Sequence, residues 1–161
     1  MDAHREKKEM KKLLLVVFVL SLSICSLISQ NKTIRGRVIS DSFETIPEVS
    51  ILINDTTEVG KTDLNGFFQI VIPVSGEKIS FRSLSLEPTT IELADTCDNI
   101  EVVMMLRGSN DFISLKRADR IRKKRFKHLP EIHQQAFEKG IFVTEHACYN
   151  REFEPFYMKQ D

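Results

Sequence analysis

Val59-Gly60-Lys61-Thr62-Asp63-Leu64-Asn65-Gly66-Phe67-Phe68-Gln69-Ile70 is the stretch whose reading decides the fold class. Two short apolar runs flank a polar turn with glycine at both shoulders. Gly60 and Gly66 tolerate φ > 0 at no steric cost, and the short polar side chains of Asp63 and Asn65 can bond their own backbone. Phe67, Phe68 and Ile70 read as a strand leaving the turn. The stretch predicts a β-hairpin, with Glu58 to Thr62 as one arm and Phe67 to Ile72 as the other.

The same grammar extends outward. Thr33 to Ser40 alternates, with Ile34, Gly36, Val38 and Ser40 on one side and Thr33, Arg35, Arg37 and Ile39 on the other. Gly36 within that pattern marks a bulge or a close backbone approach. Val49 to Ile53 is a further strand, stopped by Asn54-Asp55-Thr56. Lys78 to Leu84, Thr89 to Leu93 and Ile100 to Leu106 complete the series. Short strands every ~8–12 residues, with turn signals between them, predict a mainly β chain of seven strands, a sandwich or open barrel. The expected core comprises Ile34, Val38, Val49, Ile51, Ile53, Phe67, Ile70, Ile79, Phe81, Ile91, Val102 and Met104.

The character changes at Arg107. Ser114 to Leu129 is predicted as a Lys- and Arg-rich helix with Ala118, Ile121 and Leu129 on one stripe. Pro130 suits the first turn of a second helix, Glu131 to Lys139, with Ile132, Ala136 and Phe137 inward and Gly140 as its stop. From Asn31 to Leu106 six Lys and Arg face twelve Asp and Glu, whereas from Arg107 onward twelve face eight. The acidic body and basic tail suggest two segments with different jobs or a mutual contact. The tail is expected to dock through Phe137, Phe142, Phe153 and Phe156, because exposed charges are screened beyond ~8 Å at physiological salt and aromatic rings bury large apolar areas.

Before the strands, Arg5, Lys7, Lys8, Lys11 and Lys12 precede the apolar run Leu13 to Leu22. Residues 1–29 read as a secretory signal peptide with Ser29 before the cut. The alternatives are an uncleaved anchor and a lipoprotein box, Leu22-Ser23-Ile24-Cys25, with Cys25 as the lipidated residue. Cleavage would leave Cys97 and Cys148, which an oxidising compartment would tend to pair.

The run Gly36-Arg37-Val38, then Ile46-Pro47-Glu48-Val49-Ser50-Ile51, Gly60-Lys61-Thr62-Asp63, Gly66 to Pro73 and Ile79-Ser80-Phe81 resembles the carboxypeptidase regulatory-like domain. The resemblance spans Thr33 to Leu106. It implies a transthyretin-like, Ig-like β-sandwich over residues 30–106, followed by a helical, basic tail over 107–161. Such domains occur at the N-terminus of outer-membrane nutrient receptors that work with the TonB energy system, and in short exported proteins of the Bacteroidetes type. Leu129-Pro130-Glu131 and Arg151 to Pro155 look like the tails of those short members. Family members tend to have Gly where Glu48 stands, and Gly-Tyr where Ser85-Leu86 stands. The resemblance carries no catalytic activity, since the domain is an accessory to the peptidases it is named for.

Candidate chemistry is sparse. His128-Leu129-Pro130-Glu131 has the His-x-x-Glu spacing that such peptidases use for zinc. A catalytic zinc needs three protein ligands, and only His133 and His146 follow, so a helix junction is the better account. Asp63-Leu64-Asn65-Gly66 resembles part of a calcium loop, but Ile72 stands where an EF-hand needs glutamate. No serine sits in a nucleophile elbow, and Cys148 near His146 reads as half of a disulfide. Catalytic residues, metal sites and cofactors are therefore expected to be none.

One surface remains, the basic face Lys116, Arg117, Arg120, Lys123, Lys124 and Lys127. It reads as a solvated or self-docking face, a partner site or a lipid contact. The export signal argues against nucleic acid. The expectation is a non-catalytic cell-envelope module, periplasmic, at the outer-membrane periphery or secreted, with an envelope protein or glycan as partner. Membrane contact would be confined to the N-terminal segment. The alternatives are an unrecognised exported hydrolase and an accessory factor to a TonB-dependent receptor or glycan system.

Overall fold

Period-two alternation of apolar residues builds the sheets. A computed structural model describes residues 11–12, 31–73, 78–94, 97–108 and 112–156. The expected signal segment lies outside the described residues apart from 11–12, and Cys25 lies outside them. The chain divides into two units, Met1–Gln30 and Asn31–Asp161. The second holds β1 (Asn31–Ser40), β2 (Ser50–Ile53), β3 (Thr57–Lys61), β4 (Phe67–Pro73), β5 (Lys78–Arg82), β6 (Thr89–Leu93) and β7 (Asn99–Met104). Helices α1 (Leu115–Lys127) and α2 (Leu129–Glu138) and the short strand β8 (Tyr149–Asn150) follow. The described residues thus contain eight strands, one more than expected, because the tail contributes β8 as well as helices.

The strands form a three-stranded sheet, β4-β1-β7, and a five-stranded sheet, β3-β2-β5-β6-β8. β1 runs antiparallel to β4 and parallel to β7. The hairpin expected between β3 and β4 is not one: β3 pairs with β2 and β4 pairs with β1, in different sheets. The turn itself forms. Asp63 Oδ1 accepts the N–H groups of Asn65 and Phe67, each at 2.8 Å, and Gly66 adopts φ 77°. It is a corner that carries the chain from one sheet to the other. The hairpin sits one connection earlier, where Asn54 and Asp55 both take positive φ and Thr56 N–H donates to Ile53 C=O at 3.2 Å. Positive φ at both central residues is the hairpin signature. Gly60 lies inside β3 and is not among the positive-φ glycines; it sits opposite Ile51 beside a register shift.

The two sheets face one apolar core. Ile34, Val38, Ile70 and Val102 from one side meet Ile51, Ile79, Phe81 and Ile91 from the other. Phe67 was expected in this core but is 49% exposed, while Phe68 is buried at 6%. Side chains two apart share a face of a strand, so Ile70 and Ile72 select Phe68 and turn Phe67 outward. Phe68 meets Phe81 edge-to-face with ring centroids 5.6 Å apart. Gly36 is a close approach: a Cβ there would stand 1.8 Å from the Ile100 carbonyl oxygen.

A second apolar cluster lies on the other face of the three-stranded sheet. Ile39, Val103 and Met105 pack against Leu129, Ala136 and Phe142 of the tail. The tail therefore docks on the body, though not chiefly through the four expected aromatics. Phe142 is buried at 3%, but Phe137 is 39% exposed and Phe156 51% exposed. Phe153 is half-buried against Phe126. Polar interlocks supply the rest. The Glu101 carboxylate accepts the backbone N–H groups of Val143 at 2.7 Å and Thr144 at 2.8 Å. Tyr149 OH donates to the Glu101 carbonyl at 3.2 Å, and Arg151 to the Val103 carbonyl at 2.9 Å. These tail side chains cap carbonyls along β7, one edge of the three-stranded sheet, while β8 pairs with β6 of the other sheet. A sheet edge covered in this way offers no template to another chain.

Candidate functional site

Lys and Arg are good helix formers, and Lys124, Arg125 and Lys127 in the last turn of α1 suit its negative dipole end. The helix presents two kinds of basic residue. Arg122 is turned inward and 7% exposed. Its Nε donates to Glu87 at 2.9 Å, and its Nη1 to Asp119 at 2.8 Å and to the Glu154 carbonyl at 3.1 Å. Its guanidinium lies 3.5 Å from the Phe156 ring centroid. Asp119 also accepts the Phe156 N–H at 2.9 Å. Arg125 pairs with Asp41. Ile121, expected inward, is 49% exposed, because Ala118, Asp119 and Arg122 form the buried side.

The other basic residues, Lys116, Arg117, Arg120, Lys123, Lys124 and Lys127, are all exposed. At 3.6 residues per turn they fall within an arc of about 120° and run along ~16 Å of the helix. None of the six takes part in an ion pair among the described residues. The inward ion pairs fix which way this stripe faces. A buried ion pair is weak support for stability but sets orientation, because breaking it strands a charge.

The structure joins Cys97 and Cys148 in a disulfide with Cα atoms 5.6 Å apart. The bridge connects the approach to β7 with the approach to β8. His128 Nδ1 and Glu131 Oε2 lie 3.3 Å apart in an exposed pair at the junction of the two helices. No group of three or more His, Cys, Asp or Glu suited to a metal is found among the described residues.

A cavity of about 400 Å³ lies between the helices and the returning tail, lined by Val103, Phe126, Leu129, His133, Tyr149 and Arg151 among others. His133 is 3% exposed. Its Nε2 lies 3.1 Å from the Thr144 carbonyl oxygen, its ring meets that of Phe142 tilted by 53° with centroids 4.8 Å apart, and burial pushes its pKa below the ordinary 6.5. Burial raises the Tyr149 hydroxyl to about 12 and lowers Arg151. Sequence reading missed Glu87, Arg122, His133 and Arg151. Their identities suggest solvent, and only tertiary packing places them inside. A partial signal existed for Arg122, which lies four residues after Ala118, one of the residues expected to face inward.

No family model matches the chain, and no curated protein matches it. Among solved structures, the crystal structure of the C-terminal domain of the PapC usher is similar at 14% identity and a TM-score of 0.36, over 47% of this chain and 98% of that one. No helix among the described residues is long and apolar enough to cross a membrane.

Proposed function

We propose that the protein is an exported, non-catalytic binding or accessory module of the cell envelope, and that the outward face of α1 receives an acidic partner. The observation that carries this is the division of labour on one helix. Arg122 and Arg125 are consumed by Glu87, Asp119 and Asp41, while six cations on the opposite side stay exposed. A stripe of one sign raises the local concentration of oppositely charged partners and speeds their association. An acidic envelope protein or glycan fits that surface, at the periplasmic side, at the outer-membrane periphery or outside the cell.

Two features support the finer reading as a carboxypeptidase regulatory-like, transthyretin-like sandwich. Glu48 takes φ 56°, a left-handed conformation that favours glycine, at a position where that family tends to have Gly. The turn residues Asp63, Asn65 and Gly66 all bond within a corner between sheets. The Cys97–Cys148 bridge supports an oxidising compartment. N-terminal sequencing of the mature chain should begin near Gln30.

The test is affinity capture from envelope extracts, with the mature chain and with a variant carrying Gln at the six positions. A partner held by the former, released by salt and missing from the latter supports the reading. Identical retention by both removes it.

A further inference from the structure

The strand directions give the sandwich two unlike ends. β1, β3, β5 and β7 finish at one end, where β2, β4 and β6 start. The corner from β3 to β4, the loop from β5 to β6 and the segment from β7 to α1 therefore share that end. Each carries one large apolar side chain in solvent: Leu64 is 83% exposed, Leu84 95% and Phe112 100%. These are the three most exposed large apolar residues among those described. Single exposed apolar residues are ordinary, but these three are not scattered over the surface. At the opposite end, the described loop residues 54–56, 94, 97 and 98 include no exposed large apolar side chain.

The cations of α1 belong to the same end. Arg122 bonds Glu87 in the loop from β5 to β6, and Arg125 bonds Asp41 in the loop from β1 to β2. α1 thus lies against this end of the sandwich, and its stripe of six exposed Lys and Arg is on the side turned away from the body. The ion pairs take up the charge of Asp41 and Glu87, Glu48 pairs with Lys61, and Asp63 accepts N–H groups of its own turn. An excess of positive charge and three apolar side chains are therefore presented together.

The spread of the three decides what they suit. They leave from different strands, and neighbouring strands are about 4.8 Å apart, so they are distributed over the end instead of lining one pocket. A protein interface gathers its apolar contacts into a packed centre. A bilayer accepts separate apolar side chains anywhere in its plane, while its anionic headgroups attract Lys and Arg. Attachment to a membrane surface takes two such signals together.

We infer that this end of the sandwich docks on an anionic lipid surface, with Leu64, Leu84 and Phe112 entering the acyl boundary and the stripe of α1 resting on the headgroups. The inference rests on the reading of the α1 face as a receiver of acidic partners, and the apolar side chains select a lipid surface as that partner.

The test sediments the mature chain with vesicles of phosphatidylcholine alone, or of equal parts phosphatidylcholine and phosphatidylglycerol. The anionic vesicles should bind at least about tenfold more tightly than the neutral ones. The chain has no tryptophan, so Phe112→Trp adds a single reporter, whose emission should shift to the blue on anionic vesicles as the ring leaves water. Replacing Leu64, Leu84 and Phe112 together by Ser should weaken vesicle binding at least about tenfold and leave binding to sulfated dextran unchanged. All three side chains are exposed, so the variant keeps its fold. Equal vesicle binding by that variant, or a reporter whose emission does not move, would reduce the contact to charge alone and overturn the inference. Binding to sulfated dextran without binding to vesicles would overturn it and leave the acidic-partner reading of α1 standing. Binding to neither would remove both.

Discussion

The Arg151 guanidinium donates to the backbone carbonyl of Val103 at 2.9 Å. Val103 lies on β7, one edge of the three-stranded sheet, and Arg151 follows β8, an edge of the five-stranded one. The same side chain donates to Thr89 Oγ1 at 2.9 Å, so one tail residue spans both sheets. Arg151→Ala should cost about 2–3 kcal/mol, since charged hydrogen bonds are lost and a buried carbonyl is left unpaired. Urea denaturation of the variant measures it; a change under about 0.5 kcal/mol, as for a surface site, would show that the tail does not close the edge.

Glu48 holds a left-handed backbone conformation, and its ion pair with Lys61 is long, at 3.6 Å, and exposed. Such a pair contributes little, whereas the conformation costs roughly 1–2 kcal/mol for a residue with a Cβ. Part of that relief is offset by the greater freedom of glycine in the unfolded chain. Glu48→Gly should therefore stabilise by about 0.5–1 kcal/mol, read as a raised denaturation midpoint with an unchanged slope. A lowered midpoint would place the strain elsewhere.

Gly36 has the opposite requirement. A Cβ there would meet the Ile100 carbonyl oxygen at 1.8 Å and the Phe68 ring at 2.7 Å. Backbone cannot yield as a flexible side chain does, so Gly36→Ala should part β1 from β7 and cost more than about 3 kcal/mol, beyond the ordinary range for one substitution. Near-wild-type stability by thermal melting would contradict this pairing.

His133 links stability to pH. Its folded pKa lies below the unfolded 6.5 because burial disfavours the cation. Below that value the unfolded chain binds the proton more readily, so stability is lost as pH falls from 6.5 toward the folded value, and is fully present above it. His133→Phe should flatten that part of the stability-against-pH curve. An unchanged slope would assign the acid sensitivity to other groups.

Much of the sandwich was legible because alternation is local. Ile34, Val38, Ile51, Ile79 and Phe81 declared their faces from neighbours two residues away, and all five are fully buried. Strand pairing is not local. Nothing within Val59 to Ile70 says that β3 and β4 leave for different sheets, and the polar turn would serve a hairpin or a corner equally. Phe67 misled because two adjacent phenylalanines cannot share a face, and only the parity of Ile70 and Ile72 decides between them. In the tail, the outward cations of α1 could be read from composition. The inward turn of Arg122 depended on Glu87, thirty-five residues earlier, and the burial of His133 on Phe142 and Thr144, which sequence does not bring together.

The most direct test of the central claim is titration of the mature chain with sulfated dextran, against uncharged dextran, at low and at physiological salt. The cationic face predicts binding to the sulfated polymer alone, weakened by salt as exposed charges are screened. It also predicts loss of that binding when Lys116, Arg117, Arg120, Lys123, Lys124 and Lys127 become Gln. A control with Gln at Arg35, Arg37 and Lys61, on the sheets, should bind like the unaltered chain. Undiminished binding by the six-site variant, or loss only in the control, would contradict the account.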